Sequence, residues 1–158
     1  LRFIAHRGNL EGPSNLENSP LLIDWCLSRS IDCEVDLWVE DGEYKLGHDY
    51  GQYAITQKWL FERMQELWIH CKNSEALFTL RNFNEPRLNY FWHQEDSYTM
   101  TSQNYVWVYP GKFVPPGSIS VLPEIWITDE RSKEVALSFG VCTDYVSRYQ
   151  AKFDGAQK

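Results

Sequence analysis

The stretch from Ile31 to Glu40 alternates without interruption, and no other part of the chain constrains the fold as strongly. Successive side chains of an extended segment point to opposite sides. Asp32, Glu34, Asp36 and Trp38 therefore share one face of a strand, and Ile31, Cys33, Val35 and Leu37 share the other. The apolar face demands cover from another layer. The polar face suits solvent, and it equally suits a site where two carboxylates, two residues apart, share one hard cation through oxygen ligands. The ends of other apolar runs repeat the pattern: His6 closes the first, His70 and Lys72 stand two apart, and so do His93 and Glu95. Parallel strands that finish together would gather these groups on one rim, which in a strand–helix barrel is the C-terminal face where active sites lie.

The rest of the chain supplies such strands. Arg2–Ala5 is a short apolar run that stops at His6-Arg7-Gly8. Ser19-Pro20 reads as an N-cap with Pro at the first helical position, and Leu22, Ile23, Cys26 and Leu27 recur at helical spacing to about Arg29. Asp41-Gly42 signals a turn, with Tyr44–His48 as a returning hairpin partner. A helix over Gln57–Glu66, a strand over Leu67–Cys71 and a helix from Asn73 or Ser74 to about Arg81 follow. The second half offers strands at Tyr90–Trp92, Tyr105–Tyr109, Ile119–Leu122 and Phe139–Cys142, and one helix at Asp129–Ser138. Between Gln94 and Ser118, Pro110-Gly111 and Pro115-Pro116-Gly117 mark loops. Strand–helix alternation predicts an α/β fold on a parallel sheet, closed or open. With no repeat or linker, residues 1–158 read as a single domain.

Charge narrows the partners. The formal net charge of −7 argues against a nucleic-acid binder, which needs a basic face, and against attraction to an anionic membrane. A phosphate ester handled by such a chain needs local compensation from Arg, Lys or a bound cation. No apolar run is long enough to span a membrane, and Leu1–Gly8 lacks the pattern of a signal peptide. Cys26, Cys33, Cys71 and Cys142 form no CxxC pair, and three of them sit in apolar segments, as buried free thiols do. A cytoplasmic location is expected.

Four motifs in order, FIAHRGN (Phe3–Asn9), ENSP (Glu17–Pro20), CEVDLW (Cys33–Trp38) and LGHD (Leu46–Asp49), resemble the glycerophosphodiester phosphodiesterase family. They cover about the first third of the chain. VCTDYV (Val141–Val146) is similar to the closing strand of that family. The resemblance implies a (β/α) TIM-type barrel and hydrolysis of small glycerophosphodiesters in lipid metabolism. A complete barrel takes about 250 residues, so this one would be shortened, with several outer helices missing. Ile125–Ile127 is the one remaining strand candidate for completing it.

The resemblance also implies roles. His6 and His48 match a general acid–base pair, Arg7 a phosphate clamp, and Lys72 the lysine that follows the third strand's carboxylate. Glu34 and Asp36 match ligands of a divalent cation, Mg²⁺ or Ca²⁺, with the acidic Glu17 near them. Histidine, with an unperturbed pKa of about 6.5, can take and return a proton at neutral pH. A cation with Arg or Lys stabilises charge that develops on the phosphate oxygens. His93 and Glu95, with Lys112 and Glu124, are placed to shape the pocket, and Trp38, Trp92 and Trp107 are candidates for its walls.

One position departs from the family pattern. Where a further carboxylate ligand is expected in a Glu-x-Lys element, this chain reads His70-Cys71-Lys72. Imidazole suits a transition metal and is a poor partner for Ca²⁺ or Mg²⁺. Either His70 ligates a softer ion, or Glu95 or Glu124 substitutes, or the ion is held weakly; the second and third are preferred, and His70 is also placed among the substrate-binding residues. Two further outcomes stay open: a phosphoester-binding protein that has lost catalysis, and a lyase that forms a cyclic phosphate.

Overall fold

The computed structural model describes residues 1–154. Strand β1 (Arg2–His6) runs parallel to both its neighbours, β2 (Asp32–Glu40) and β10 (Gly140–Thr143). Beyond β2 the parallel run continues through β5 (Leu67–Cys71) and β6 (Asn89–Phe91). Beyond β10 it continues through β9 (Ile119–Val121) and β8 (Val106–Val108). Three strands are antiparallel additions: the hairpin of β3 (Glu43–Leu46) and β4 (Tyr53–Ile55) on β2, and β7 (Tyr98–Met100) on β8. The length of β2 lets it serve three neighbours, with Asp32–Glu34 pairing β1, Cys33–Leu37 pairing β5 and Leu37–Glu40 pairing β3.

Among the described residues five helices accompany the sheet: α1 (Pro20–Leu27), α2 (Gln57–Arg63), α3 (Ser74–Phe83), α4 (Ser132–Ala136) and α5 (Val146–Asp154). The first three start where side-chain oxygens of Ser19, Thr56 and Asn73 accept from the backbone N–H groups of Leu22, Trp59 and Ala76, satisfying donors that the first turn leaves free. Their inner faces cover the outer side of the sheet, where Cys33, Val35, Leu37, Ile69 and Cys71 form one cluster with Ile23, Leu60, Ala76 and Leu80. All four cysteines are buried and free. Among the described residues, no helix is long and apolar enough to cross a membrane.

The architecture corrects the expected shortened TIM-type barrel. The described residues form a mixed sheet of ten strands curled into a half-barrel with five helices, not a barrel of alternating strands and helices. Strands β6 and β8 do not pair with each other, and the connections β6–β8 and β8–β9 contain no helix. A helical crossover between parallel strands takes a dozen or so residues. Residues 92–105 spend part of that length on β7, and residues 109–118 are interrupted by Pro110, Pro115 and Pro116. Ile125–Ile127 is no strand; Pro123–Ile125 forms a single 3-10 turn, entered through Leu122 in a left-handed conformation (φ 44°). Strands β4 and β7 and helix α5 have no counterpart in the sequence reading.

Candidate metal centre and active site

The concave side of the sheet is layered. Ile4, Trp68, Phe91, Trp107, Ile119, Val121 and Cys142 pack together as an apolar floor. One step further along four of the strands, at i+2, the same face turns polar: His6 follows Ile4, His70 follows Trp68, His93 follows Phe91 and Asp144 follows Cys142. On β2 this face is polar throughout, and it is buried, with Asp32 at 6%, Glu34 at 3% and Asp36 at 1% exposure. A solvated sheet face is thereby excluded. Asp32 at the base is satisfied by Arg2, whose Nε and Nη2 donate to it, and by Trp68 Nε1 at 2.8 Å. Above the floor lies a cavity of about 340 Å³, lined by His6, Arg7, Glu34, Asp36, His70 and Lys72, with Trp107, Tyr109, Val121 and Leu122 contributing apolar surface.

Glu34, Asp36 and His70 each direct one ligand atom to a common point, all within 4.8 Å of one another, and this group could hold a metal ion. The register explains it: Asp36 pairs His70 across the β2–β5 ladder, and Glu34 lies two residues back on the same face. His70 Nε2 lies 2.7 Å from the His93 carbonyl, which can only accept, so Nε2 carries a proton. Nδ1 then faces the carboxylates, 3.2 Å from Asp36 Oδ1 and 3.9 Å from Glu34 Oε1. In the neutral ring that atom bears the lone pair, so electron-rich atoms converge and call for a cation or a proton between them. A ligating imidazole held by a backbone carbonyl through its other nitrogen is the common arrangement around bound metals.

The carboxylates are held from behind. Asn18 Nδ2 donates to Asp36 Oδ2 at 3.0 Å, and the Asp36 backbone N–H donates to Asn18 Oδ1 at 2.9 Å. The Arg7 backbone N–H donates to Glu34 Oε2 at 3.1 Å, from a residue in the left-handed region (φ 53°). Arg7 Nη1 donates to Glu17 at 3.2 Å. Arg7 Nε is 3.2 Å from Asp36 Oδ2 but is not aligned for a hydrogen bond, so that contact is purely ionic. Lys72 Nζ stands 3.4 Å from Asp36 Oδ1. Burial pushes the Glu34 carboxyl above its ordinary pKa, with the Asp36 charge adding to the effect and His6, His70 and Arg7 opposing it. Burial also acts to raise Asp36, but without a metal a proton on His70 Nδ1 takes the cation's place, and its hydrogen bond, with the charges of Arg7 and Lys72, outweighs burial and holds the Asp36 pKa well below the usual carboxylate range. The surrounding cations favour Asp36 over Glu34, which leaves a poorly compensated buried carboxyl beside it.

His6 forms the opposite side of the cavity. Its Nδ1 donates to Asp144 Oδ1 at 2.7 Å, and its Nε2 points toward Glu34, 4.0 Å from Oε2. Burial acts to lower the His6 pKa, but the Asp144 hydrogen bond and the Glu34 charge prevail, so the net shift is upward. Asp144 is lowered in turn: burial raises it, and the His6 hydrogen bond and charge together with Asn9 Nδ2 at 2.9 Å overcome that. Glu124 orients this end of β10 by accepting from Thr143 Oγ1 and the Asp144 backbone N–H.

His48 also lines the cavity, from the exposed loop between β3 and β4, where its Nδ1 donates to Asp49 at 2.8 Å. That loop is pinned to β2 by Gly47, whose N–H donates to the Asp36 carbonyl at 3.1 Å and whose carbonyl accepts from Trp38 Nε1 at 2.7 Å.

The structure thus gathers His6, Arg7, Glu34, Asp36, His48, His70, Lys72 and His93 around one cavity. Trp107 joins them as an apolar wall, and the other candidates stand apart. Trp38, expected as a wall, anchors the His48 loop; Trp92 packs on the outer cluster; Lys112 is exposed. Glu95 is exposed beside a separate depression, and Glu124 is engaged at the end of β10, so neither replaces the expected third carboxylate. Glu17 lies outside the three-residue group and holds Arg7 and Asn9. His93 supports His70 through its carbonyl, while its own Nε2 donates to the Asp96 carbonyl at 2.6 Å. Asn9, Asn18 and Asp144 carry no role predicted from the sequence, although they lie within FIAHRGN, ENSP and VCTDYV. No family model, curated protein or solved structure matches the chain.

Proposed function

We propose that this chain is a metal-assisted phosphodiester hydrolase acting in the cytoplasm on glycerophosphodiesters or related small phosphodiesters. One observation carries the reading: a histidine with its Nδ1 held by a carboxylate faces a cation-competent group across a small cavity that also contains an Arg and a Lys. Asp144 keeps the proton on His6 Nδ1 and leaves Nε2 to exchange a proton at the ester, and His48 is the second member of the acid–base pair. The Lys72 ammonium and the outward part of the Arg7 guanidinium bind the phosphate oxygens. Glu34, Asp36 and His70 would hold a divalent cation, which polarises a phosphoryl oxygen and lowers the pKa of bound water when present. The resemblance implies Mg²⁺ or Ca²⁺; the imidazole in the third place argues against so hard an ion. The net charge of −7 favours a small substrate over nucleic acid, and four free thiols suit a reducing compartment.

The test is phosphomonoester release by the purified chain across a panel of divalent metals and small phosphodiesters. His6→Ala and His48→Ala should each lower turnover by roughly 100- to 10,000-fold, and EDTA should abolish it. Activity that survives both substitutions overturns the proposal. Phosphorus NMR distinguishes the remaining outcomes, since a cyclic phosphate product marks a lyase and ester binding without product marks a chain that has lost catalysis.

A further inference from the structure

We infer that His70 is a direct ligand and that the Glu34–Asp36–His70 centre selects a first-row transition dication, such as Mn²⁺, Co²⁺ or Zn²⁺, over Mg²⁺ and Ca²⁺. This deepens the proposal above and rests on its reading of the cavity as a cation site.

The ring of His70 is held in place on two sides. Its Nε2–H is committed to the His93 carbonyl at 2.7 Å, and its face stacks on Phe91 with centroids 5.2 Å apart and planes 9° from parallel. Phe91 belongs to the apolar floor and is 2% exposed, so the platform is itself immobile. The only ring nitrogen left is Nδ1, aimed between Asp36 Oδ1 and Glu34 Oε1. A substrate-binding histidine would turn a nitrogen toward open cavity, whereas this one turns it toward two carboxylates. Arg7 and Lys72 do not remove the need for an ion, because their side chains make ion contacts with Asp36 and none with Glu34. Glu34 is 3% exposed, and its Oε1 accepts no hydrogen bond from the described residues. A carboxylate oxygen of a nearly buried residue therefore points at the same spot as the imidazole Nδ1, with no hydrogen bond from the described residues.

Donor chemistry then decides the ion. Two carboxylates alone would suit Mg²⁺ or Ca²⁺, which take oxygen ligands and discriminate against imidazole. One imidazole in the set favours later dications, whose affinity for nitrogen donors rises along the first row. No carboxylate stands in reserve to restore an all-oxygen set, since Glu17 holds Arg7 and Glu124 holds the end of β10.

The experiment uses the full chain stripped of metal with chelator. Calorimetric titrations with MnCl₂, CoCl₂, MgCl₂ and CaCl₂ should show Mn²⁺ and Co²⁺ binding at least about 100-fold tighter than Mg²⁺ or Ca²⁺. Pulsed EPR of the Mn²⁺ form should show a directly coordinated imidazole nitrogen. His70→Glu should abolish that coupling and shrink the Mn²⁺/Mg²⁺ preference by about 10-fold or more. Absence of nitrogen coupling in the unsubstituted protein overturns the inference without reference to any variant, so a misfolded His70→Glu chain does not protect it. An unchanged preference in a folded His70→Glu chain overturns it equally. Metal bound as described without ester turnover defeats the hydrolase reading alone, and turnover with Mg²⁺ but no nitrogen coupling defeats this inference alone.

Discussion

Removing the Asn18 side chain should destabilise the metal-free protein by several kcal/mol while leaving every residue that lines the cavity in place. Asn18 is 1% exposed and makes two hydrogen bonds to one residue, donating to the Asp36 carboxylate at 3.0 Å and accepting the Asp36 backbone N–H at 2.9 Å. A hydrogen bond to a buried charge contributes about 1.5–3 kcal/mol and a neutral one about 0.5–1.5, so losing both costs about 2–4.5 kcal/mol. Asn18 also sits in the left-handed region (φ 62°). Alanine there carries strain of about 1–2 kcal/mol, whereas glycine adopts the conformation freely but loses about 0.4–1 kcal/mol through the entropy of its unfolded chain. Asn18→Ala and Asn18→Gly should therefore fall within about 1.5 kcal/mol of each other, both dominated by the lost hydrogen bonds. Urea unfolding in chelator, followed by tryptophan fluorescence, measures both variants. Because Asn18 fixes the orientation of Asp36, each should also weaken Mn²⁺ binding by about 10- to 100-fold. A loss below about 1 kcal/mol in both variants would refute the reasoning, since water or Arg7 would then satisfy Asp36 as well as Asn18 does.

Three further outcomes are expected. In metal-free protein, the stability of the unsubstituted chain relative to Glu34→Gln should fall as pH rises from about 4.3, the ordinary Glu value, through the raised folded pKa of Glu34, because the folded state holds that proton more tightly than the unfolded one; a difference that is flat or rises with pH in urea titrations contradicts this. Asp36 and Asp144, both depressed, act with the opposite sign: their contribution is complete above the ordinary Asp value of about 3.9 and is lost as pH falls through their folded values. The four cysteines should resist a thiol reagent such as Ellman's in the native state and react fully in guanidinium; all four are buried, and burial pushes the Cys71 thiol up to about 12. Gly47→Ala should dislodge the His48 loop, because Gly47 has φ 155° and a Cβ there would collide with the Tyr50 carbonyl; phosphodiester turnover should fall while the urea midpoint changes by less than for Asn18→Ala, and wild-type turnover would count against His48 as a catalytic residue.

Local patterns made much of this protein legible from its residues. The alternation of Asp32–Glu40, the Ser19-Pro20 and Asn73 helix starts, and the apolar-then-polar pair at i and i+2 on several strands depend on side-chain direction and capping, which reach only a few residues. They placed His6, Glu34, Asp36, His70, Lys72 and His93 at strand ends, and those residues do line one cavity. Whether the acidic face met water or protein was not a local matter: it depended on how far the sheet curls, and only curling buries Glu34 and Asp36 beneath His6 and His70. The missing helices after β6 and β8 likewise follow from how antiparallel β7 and the proline-rich connection spend chain length. Asp144 reaches His6 across 138 residues because β10 docks beside β1, and Asn18 reaches Asp36 because the turn at Arg7–Gly8 sends the chain back over β2. Periodicity within a segment determines which residues share a face. Which faces then meet is settled by packing and hydrogen-bond satisfaction between segments distant in sequence, and in this protein that is where the group that could hold a metal ion and its supporting residues were assembled.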